Sequence, residues 1–364
     1  MVEWKKLGEV CKTITPPKKL EKELYGVNGA FPIIDQGQKD IVGYTNDETS
    51  LVPNDEYILF GDHTRYVKYF NGSFAQGADG LKILKASNGI LPRYFFFSFE
   101  NVDVPSRGYS RHWSIAKELI IPIPSLEEQT RIVEILDTFT SAIDNLKEQI
   151  AQRRKQYEYY RDQLLDLEGK SEQDIHCWGE VCEMEKGNGV QKADFVDEGI
   201  GCIHYGQIYT HYGPYTYETN KFVSEGTFAK AKKASKGDII MTDTSENVED
   251  ICKSVAWLGD NDIAVSNHAL IIKHNQNPKF LSYSTQTNSF FLQKRKVVIG
   301  VKVSGIKPDD LAKIKIFLPP LQEQQRIVST LDTFEASIQN LEAQLEQREK
   351  QYEYYRNKLL TFER

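Results

Sequence analysis

The sequence predicts an α+β protein in which two similar mixed α/β domains are separated by two long antiparallel coiled-coil helices. Three observations lead to this prediction. The 364 residues are enough for two domains, two segments are near copies of each other, and both carry a heptad pattern of apolar residues. We therefore divide the chain into domain 1 at 1–123, a central helix at 124–168, domain 2 at 169–318 and a C-terminal helix at 319–364.

The internal repeat aligns residues 124–168 with residues 319–363 at a constant offset of 195 positions, and 27 of the 45 aligned positions are identical. A weaker similarity precedes each segment, where the Gly-Glu-Val-Cys of 8–11 returns at 179–182. Because the duplication extends over both halves of the chain, we predict a pseudo-twofold axis between them.

Domains 1 and 2 contain short apolar or β-branched runs separated by loops rich in Gly, Asn, Asp, Ser and Thr, a pattern typical of strands joined by turns. We expect each domain to form a curved sheet with a few helices. Outside the weak similarity the two domains differ, so we expect them to contact different targets. The predicted strands lie at 57–60, 66–70, 81–84, 238–241, 254–258, 269–272 and 313–318.

Both long helices follow prolines, and Ser125 with Glu128 forms a capping-box pattern at the start of the first. Apolar or aromatic residues then recur at alternating spacings of four and three, interrupted by one arginine in each helix. This spacing predicts the seam of a left-handed coiled coil. The seam residues, which we also predict to include the partner-binding surface, are Ile132, Leu136, Phe139, Ile143, Arg153, Tyr157, Tyr160, Ile327, Leu331, Phe334, Ile338, Arg348, Tyr352 and Tyr355.

Chain connectivity predicts the direction of the helices. A helix of about 40 residues is about 60 Å long, so domain 2 begins at the far end of the first helix and the second helix has to run back. The two helices should therefore be antiparallel, with both chain ends near domain 1. The alternative is that each helix packs only on its own domain, but such a stripe is usually wider than this narrow seam.

Arg153 and Arg348 interrupt the seam at equivalent positions. A buried polar residue in a seam can fix register and orientation, which we favour over a ligand-binding role. Arginine and the tyrosines that follow are also frequent interface residues. The outer flanks of a two-helix pair stay open, so they could bind partner helices in a four-helix arrangement.

The charge balance argues against a protein that coats nucleic acid through a general positive field. The chain has 45 basic and 52 acidic residues, a net charge of −7. The two helices carry −4 and −2 of this charge, whereas domains 1 and 2 carry 0 and −1. Any contact with nucleic acid must therefore come from local clusters within the domains.

Several polar or basic clusters in the domains fall in loops or between predicted strands. Arginine and tyrosine interleaved with glycine and serine suit phosphate and base-edge contacts. The alternative for each cluster is a solvated surface loop. The candidate DNA-binding residues are Arg65, Gln76, Arg107, Tyr109, Arg111, His112, Lys232, Lys233, Thr244, Ser245, Asn267, Lys294, Arg295 and Lys296.

Catalytic signatures are absent from the sequence, which contains no GxxxxGK[ST] phosphate loop, no GxSxG motif and no HExxH motif. The five cysteines form no CxxC pair, and their spacing to nearby histidines matches no zinc pattern. We predict no catalytic residue and no metal site. The polar N-terminus and the lack of a long apolar run predict a cytoplasmic protein with no membrane contact.

The sequence resembles the specificity subunits of Type I restriction-modification systems. The similarity starts at Trp4 and at Leu-Gly-Glu-Val in 7–10, and its most specific part is the paired motif that begins each helix. This motif comprises Pro124, Leu126, Glu128, Gln129 and Ile132 in the first copy, and Pro319, Leu321, Glu323, Gln324 and Ile327 in the second. In domain 2 the sequence departs from the pattern, because Trp178 directly precedes Gly179 and so occupies the place of Leu7.

The resemblance implies that domains 1 and 2 are target recognition domains, each recognising one half of a bipartite, asymmetric site in double-stranded DNA. It implies that the helices separate the half-sites and dock two methyltransferase subunits, through which restriction subunits join. S-adenosylmethionine, ATP and Mg²⁺ are then expected in those partners, and no cofactor in this chain. Two alternatives remain open: a specificity subunit of a modification-only methyltransferase, and a coiled-coil scaffold with no DNA role.

Overall fold

A computed structural model describes residues 2–77, 79–108, 110–299 and 304–363 of the chain. The chain forms two compact units, of which the first contains Met1–Glu148 and Glu342–Arg364 and the second contains Gln149–Leu341. Each unit therefore combines one globular domain with one segment from each long helix. Both ends of the chain belong to the first unit, as the antiparallel prediction requires.

Domain 1 is built on one mixed sheet of six strands in the order β2-β7-β5-β6-β3-β4, beside a two-stranded ribbon of β1 and β8. Its central strand alternates, with Ile58 and Phe60 facing the helices and Tyr57 and Leu59 facing the other side of the sheet. The elements are β1 (Glu3–Lys6), β2 (Cys11–Ile14), β3 (Phe31–Ile34), β4 (Gly43–Thr45), β5 (Leu51–Gly61), β6 (Val67–Gln76), β7 (Leu81–Ala86), α1 (Pro92–Glu100), α2 (Trp113–Ala116), β8 (Ile120–Ile123) and α3 (Leu126–Leu165).

Domain 2 contains two five-stranded sheets, β10-β20-β16-β18-β13 and β11-β14-β12-β19-β15, and two ribbons, β17 with β21 and β22 with β9. The elements are β9 (Ile175–Cys177), α4 (Trp178–Val181), β10 (Cys182–Lys186), β11 (Phe195–Val196), β12 (Ile200–Ile203), α5 (Tyr205–Thr210), β13 (Tyr215–Thr216), β14 (Lys221–Val223), α6 (Glu225–Lys230), β15 (Lys232–Ala234), β16 (Ile239–Thr242), β17 (Thr244–Ser245), β18 (Ser254–Trp257), β19 (Ile263–Val265), β20 (Ala269–His274), α7 (Pro278–Ser284), α8 (Asn288–Val297), β21 (Ser304–Gly305), α9 (Pro308–Leu311), β22 (Lys315–Phe317) and α10 (Leu321–Leu360).

The α+β fold with two mixed domains and two long helices is thus confirmed, but the expectation of one curved sheet is wrong for domain 2. The sheet that contains β16 packs its Ile240 side against the second sheet and its Ile239 and Met241 side against helices. The strands of the second sheet have only two to four residues each. Such short runs fall below the length at which alternation distinguishes a strand.

The start of each domain is held in the same way in both units. The backbone N–H of Leu7 donates to the carbonyl of Leu119, and the N–H of Trp178 donates to that of Ile314, both at 2.8 Å. Leu7 and Trp178 are both fully buried. Trp178 therefore occupies the structural place of Leu7, as its position before Gly179 indicates.

The glutamine of the Glu-Gln motif anchors each long helix to its domain. Gln129 Oε1 accepts from the N–H of Leu91 at 2.9 Å, and its Nε2 donates to the carbonyl of Pro124 at 3.0 Å. Gln324 Oε1 likewise accepts from the N–H of Asn277 at 3.0 Å. Both side chains are almost fully buried, so these bonds are shielded from competing water.

A second anchor, about two helical turns further along each helix, is ionic. Asp137 of α3 pairs with Arg93 of α1 at 2.7 Å, and Asp332 of α10 pairs with Lys279 of α7 at 2.9 Å. These aspartates belong to the Leu-Asp-Thr-Phe stretch of the repeat. The duplicated sequence therefore encodes duplicated contacts between helix and domain.

The two helices pair antiparallel within each unit. In the first unit the rings of Phe139 and Tyr355 stack with centroids 5.3 Å apart, and Lys147 lies 3.4 Å from Glu349. From the first contact to the second, the residue number rises along α3 and falls along α10, so the two helices run in opposite directions. In the second unit the rings of Tyr160 and Phe334 stack at 5.4 Å.

The structure also shows the alternative arrangement, in which a helix packs on its own domain. Ile132 and Leu136 are fully buried in the core of domain 1, together with Leu360 of α10. In the second unit Ile327 and Leu331 are buried in the core of domain 2. The beginning of each helix therefore packs on its own domain, and the helices pair with each other beyond that point.

The predicted burial of the seam arginines is wrong. Arg153 is half-buried and Arg348 is exposed. Their guanidinium groups lie 6.0 Å from the ring of Phe334 and 5.8 Å from the ring of Phe139, respectively. Each guanidinium therefore lies over the phenylalanine ring of a stacked aromatic pair, because a long charged side chain can place its stem on an apolar surface and its head in water.

Candidate nucleic-acid interface

Three polar segments of domain 1 meet at Asp62, which directly follows β5. Its N–H donates to the carbonyl of Gly80 at 2.6 Å, and its carbonyl accepts from the N–H of His112 at 2.8 Å. One carboxylate oxygen accepts from the N–H of Trp113 at 2.7 Å. Asp62 is only 2% exposed. The loop after β5, the loop before β7 and the segment before α2 are therefore joined at one end of the sheet.

Arg65, Arg107 and Arg111 lie exposed in these segments. Arg65 has a left-handed backbone (φ 64°), and its guanidinium donates to the carbonyl of Val104 at 2.9 Å. Tyr109 lies outside the described residues. The three arginines therefore present side chains of the type that contacts phosphates at this end of domain 1.

Gln76 and His112 are buried, which corrects their prediction as surface contacts. Gln76 ends β6 and is 2% exposed, and His112 is 1% exposed. The His112 ring uses both nitrogens, since Nε2 accepts from the N–H of Arg107 at 3.1 Å and Nδ1 lies 2.9 Å from the carbonyl of Asp62. His112 therefore positions the arginine-bearing segment instead of facing solvent.

Asp243 organises the corresponding end of domain 2. It follows β16, as Asp62 follows β5, and it is 6% exposed. Its N–H donates to the carbonyl of His268 at 3.2 Å, and its carbonyl accepts from the N–H of Ile306 at 3.0 Å. Its carboxylate pairs with Lys186 at 3.0 Å. Polar segments from four parts of domain 2 therefore converge as they do in domain 1.

Thr244 and Ser245 lie in this cluster. Thr244 Oγ1 donates to the carboxylate of Asp243 at 2.8 Å, and its carbonyl accepts from the hydroxyl of Tyr209. Ser245 is buried and pairs with Ser304 through the ribbon of β17 and β21. Thr244 is thus the more accessible of the two predicted residues.

Asn267 and Lys232 flank the cluster through the turn after β10. Asn267 is exposed, and its Oδ1 accepts from the N–H of Gly189 at 3.1 Å. The N–H of Lys232 donates to Asn188 Oδ1 at 2.9 Å, and its ammonium pairs with Glu185. Lys233 is exposed, and its Nζ lies 4.7 Å from the ring centre of Phe228. The predicted residues of this region are thus brought together.

One residue of the predicted basic cluster at 294–296, Lys294, is buried and so does not belong to the exposed surface. Lys294 is 4% exposed, and its Nζ donates to the carbonyls of Glu249 and Ile251 at 2.9 and 2.5 Å. Burial lowers the pKa of Lys294. Its helical position turns it inward, whereas Arg295 and Lys296 are exposed.

A second kind of surface occurs on the long helices. In the first unit, Tyr354 is 59% exposed beside Tyr355 of the stacked pair with Phe139. In the second unit, Tyr159 is 61% exposed beside Tyr160. We call each set of two tyrosines, one phenylalanine and one arginine an aromatic patch. The patches are Phe139, Arg348, Tyr354 and Tyr355 in the first unit, and Arg153, Tyr159, Tyr160 and Phe334 in the second.

Not all seam residues reach these patches. Ile143 is 6% exposed, Ile338 is half-buried, and Tyr157 and Tyr352 are half-buried and bound to polar groups. The hydroxyl of Tyr352 donates to Glu100 at 2.8 Å, and that of Tyr157 to Glu335 at 3.4 Å. These residues make contacts inside their own units. The aromatic patches are therefore the accessible part of the predicted partner surface.

Within the described ranges, no group of three or more His, Cys, Asp or Glu side chains is arranged to hold a metal ion. All five cysteines are free thiols, four of them buried and Cys177 half-buried. No helix of the described residues is long and apolar enough to cross a membrane.

Comparison with protein families matches residues 1–153 and 171–349 to the Type I restriction modification DNA specificity domain. The chain belongs to this family. The two matched regions cover both units, so the internal repeat corresponds to two copies of the specificity domain.

Curated relatives of this specificity family match along nearly the whole chain. The specificity subunit of the Type I restriction enzyme EcoR124I/EcoR124II from Escherichia coli is 28% identical, over 99% of this chain and 94% of its own length. A putative Type I restriction enzyme specificity subunit from Haemophilus influenzae is 26% identical, over 99% and 96%.

Solved structures from Type I restriction-modification systems share the fold. The crystal structure of the S subunit of a Type I restriction-modification system from M. genitalium has a TM-score of 0.61 at 16% identity, covering 100% of this chain and 97% of the other. A structure that concerns complex assembly and conformational transition of the Type I system has a TM-score of 0.56 at 17% identity, covering 99% and 96%.

Sequence reasoning missed some residues of this specificity subunit that the structure places in the cluster around Asp243. Lys186 lies against Asp243, and Tyr205 and Tyr209 adjoin Thr244 and His268. The closely spaced tyrosines and histidines of 204–212 are the sequence feature that could have indicated these residues. It was not decisive because aromatic residues between strands are as often core residues.

Proposed function

We propose that this chain is the DNA sequence-specificity subunit of a Type I restriction-modification enzyme and that domains 1 and 2 bind the two unlike halves of a bipartite, asymmetric site. The observation that carries the proposal is the pair of loop clusters built on Asp62 and Asp243. Each brings several polar loops to one end of a rigid sheet, which is how proteins commonly present recognition residues. The chain itself would carry no catalytic group.

The chemistry of the two clusters supports two different half-sites. Domain 1 offers Arg65, Arg107 and Arg111, whereas domain 2 offers His268, Asn267 and lysines. Arginine favours guanine edges and phosphates, and amide or imidazole groups bond to other base edges. Two clusters of unlike composition are therefore suited to unlike sequences.

The long helices support a fixed separation of the half-sites. Each has 40 residues in unbroken helical conformation, and each is anchored through its glutamine and aspartate to a domain. A rigid spacer can set half-site separation near one turn of DNA, about 34 Å. We infer that the helices act as this spacer.

The aromatic patches support the docking of two methyltransferase subunits. The two patches consist of the same residue types at an offset of 195 positions, so each can bind the same partner surface. Tyrosine and arginine dominate protein interfaces energetically, and the patch of the second unit borders a groove of about 470 Å³. We propose that each patch binds helices of one methyltransferase subunit and that restriction subunits join through these. S-adenosylmethionine, ATP and Mg²⁺ would then act in the partner subunits.

The stoichiometry of the complex tests the docking surface. Tyr159→Ala in the full chain should reduce the bound methyltransferase subunits from two to one, as should Tyr354→Ala, and the double variant should bind none stably. Native mass spectrometry of the co-purified complex measures this ratio. Retention of two subunits by the double variant would show that the patches are not the docking surface.

Co-expression with a methyltransferase subunit, followed by genome-wide mapping of methylated adenines, tests the DNA function. We expect one motif with two short specified halves and an unread spacer. Exchange of residues 1–123 for another recognition domain should change only one half, and exchange of 169–318 only the other. Failure of a restriction subunit to bind the assembled complex would favour a modification-only enzyme. If the complex shows no sequence-specific binding in gel shifts and no methylated motif, the chain is a scaffold without a DNA role.

A further inference from the structure

His268 adopts a backbone conformation that side chains rarely adopt. Its φ is 64°, in the left-handed region, which is uncommon for residues other than glycine. It directly precedes β20, which pairs with β16 in the sheet of domain 2. Residues held in such conformations cluster at functional sites, so this one invites a functional explanation.

Domain 1 shows that the fold does not require a side chain here. The carbonyl of Gly80 accepts from the N–H of Asp62, as the carbonyl of His268 accepts from the N–H of Asp243. Gly80 directly precedes β7 and also has a positive φ, 101°. The equivalent position in domain 1 is therefore filled by the residue that tolerates this backbone best.

The imidazole of His268 is not used to build the core. The residue is exposed, its ring meets the ring of Tyr205 edge-on at 5.3 Å, and its Nδ1 lies 3.3 Å from Thr244 Oγ1. These contacts fix the direction of the ring but leave one edge of it open to solvent. A strained position is thus occupied by a side chain whose free edge faces outward.

The ring borders a pocket of about 490 Å³ in domain 2. Tyr205, Tyr209 and Thr244 contribute aromatic and hydroxyl groups to its lining, and no lysine or arginine belongs to the lining among the described residues. Glu246 contributes a carboxylate, whereas the carboxylate of Asp250 is paired with Lys253 at 2.8 Å and accepts from the amide of Asn247 at 2.8 Å. The carboxylate of Glu246 disfavours a phosphate in this pocket. The pocket suits a neutral base edge, because a carboxylate accepts from the amino group of cytosine or adenine.

We propose that His268 is a specificity-determining residue of domain 2, which places its imidazole and the adjoining pocket against a base edge that carries an amino group. This inference rests on the proposed DNA function and assigns one position of one half-site to a named side chain. Domain 1, with Gly80 at the equivalent place, lacks this contact and has to recognise its half-site through other residues.

His268→Gly in the full chain, in complex with methyltransferase subunits, tests the proposal. Glycine accepts the backbone conformation, so the melting temperature should equal or exceed that of the wild type. Adenine-methylation mapping should show loss of discrimination of about fivefold or more at one position of the half-site read by domain 2. The other half-site should stay unchanged.

His268→Asn serves as the second variant, because asparagine also tolerates the left-handed region but presents a different set of hydrogen-bonding groups. It should alter the preferred base at the same position. If the glycine variant is less stable than the wild type, the base preference of the asparagine variant tests the role of His268. A wild-type motif and selectivity in the folded variants overturns the role of His268, whereas a wild-type complex with no bipartite motif overturns the proposed function instead.

Discussion

Protonation of Glu335 is expected to make the stability of the second unit depend on pH. Glu335 lies on α10, where it accepts a hydrogen bond from the hydroxyl of Tyr157 on α3 at 3.4 Å. Tyr283 and Lys279 of α7 bind the adjacent Asp332 at 2.7 and 2.9 Å. Burial, together with the negative charge of Asp332, raises the pKa of Glu335 from 4.5 to about 7.

The sign of the effect follows from this pKa. The folded protein keeps a proton on Glu335 that the unfolded chain releases above pH 4.5, so stability falls as the pH rises from 4.5 to about 7. Each tenfold change in proton affinity is worth about 1.4 kcal/mol. The raised pKa of Glu335 therefore costs the folded state at most about 3 kcal/mol by pH 8.

Glu335→Gln removes the titration and keeps the size of the side chain. The stability gained by this substitution should grow by as much as about 3 kcal/mol between pH 4.5 and 8, measured by urea unfolding with tryptophan fluorescence. Taking the difference in stability between variant and wild type cancels the contributions of other titrating groups. His274 is one such group, because burial lowers its pKa to about 4 and its contribution to stability therefore has the opposite direction. Thr140 occupies the equivalent position of α3, and Thr140→Val should leave the pH dependence unchanged. A stability difference that is constant across this range refutes the reasoning.

Three further outcomes are expected. Gln129→Leu leaves the N–H of Leu91 without its partner and should destabilise the first unit by about 3 kcal/mol in urea unfolding, whereas an effect below about 0.5 kcal/mol would contradict the anchoring role. Arg107→Ala with Arg111→Ala should weaken DNA binding and reduce the slope of log K against log salt concentration by about two. An unchanged slope would show that these arginines do not contact DNA phosphates. Deleting one matched heptad from both helices, 146–152 and 341–347, should shorten the unread spacer or abolish binding, and an unchanged methylated motif would exclude the spacer role.

The long helices could be predicted from sequence because their information is local and repeated. A heptad pattern over four heptads or more leaves few alternatives, and the same pattern returns at an offset of 195 residues. The central strands predicted at 57–60 and 238–241 were recognisable for a similar reason, since each contains a continuous apolar run, and they are observed at Leu51–Gly61 and Ile239–Thr242. The two sheets of domain 2 were not, because strands of two to four residues acquire their identity only from their neighbours.

The site was predictable as a set of loops but not as an assembly. The polar residues around Asp62 and Asp243 stand out between strands, yet only the folded structure shows that these two aspartates join the loops. Burial of His112 and Lys294 depends on backbone carbonyls that are distant in sequence. Composition alone therefore marked them as surface residues, together with the neighbours that do reach solvent.

The distribution of identical residues separates the frame of the protein from its proposed recognition surface. Gln129 and Asp137 of α3 recur as Gln324 and Asp332 of α10, and all four join a helix to a domain. The loop clusters lie at the corresponding end of each domain, but their side chains share little beyond the buried aspartate. Because the anchors and the loop clusters are separate sets of residues, loop residues can change without loss of the anchors. If the loop clusters bind DNA as proposed, substitution in one domain can give a new half-site while the helices and the other half-site stay as they are.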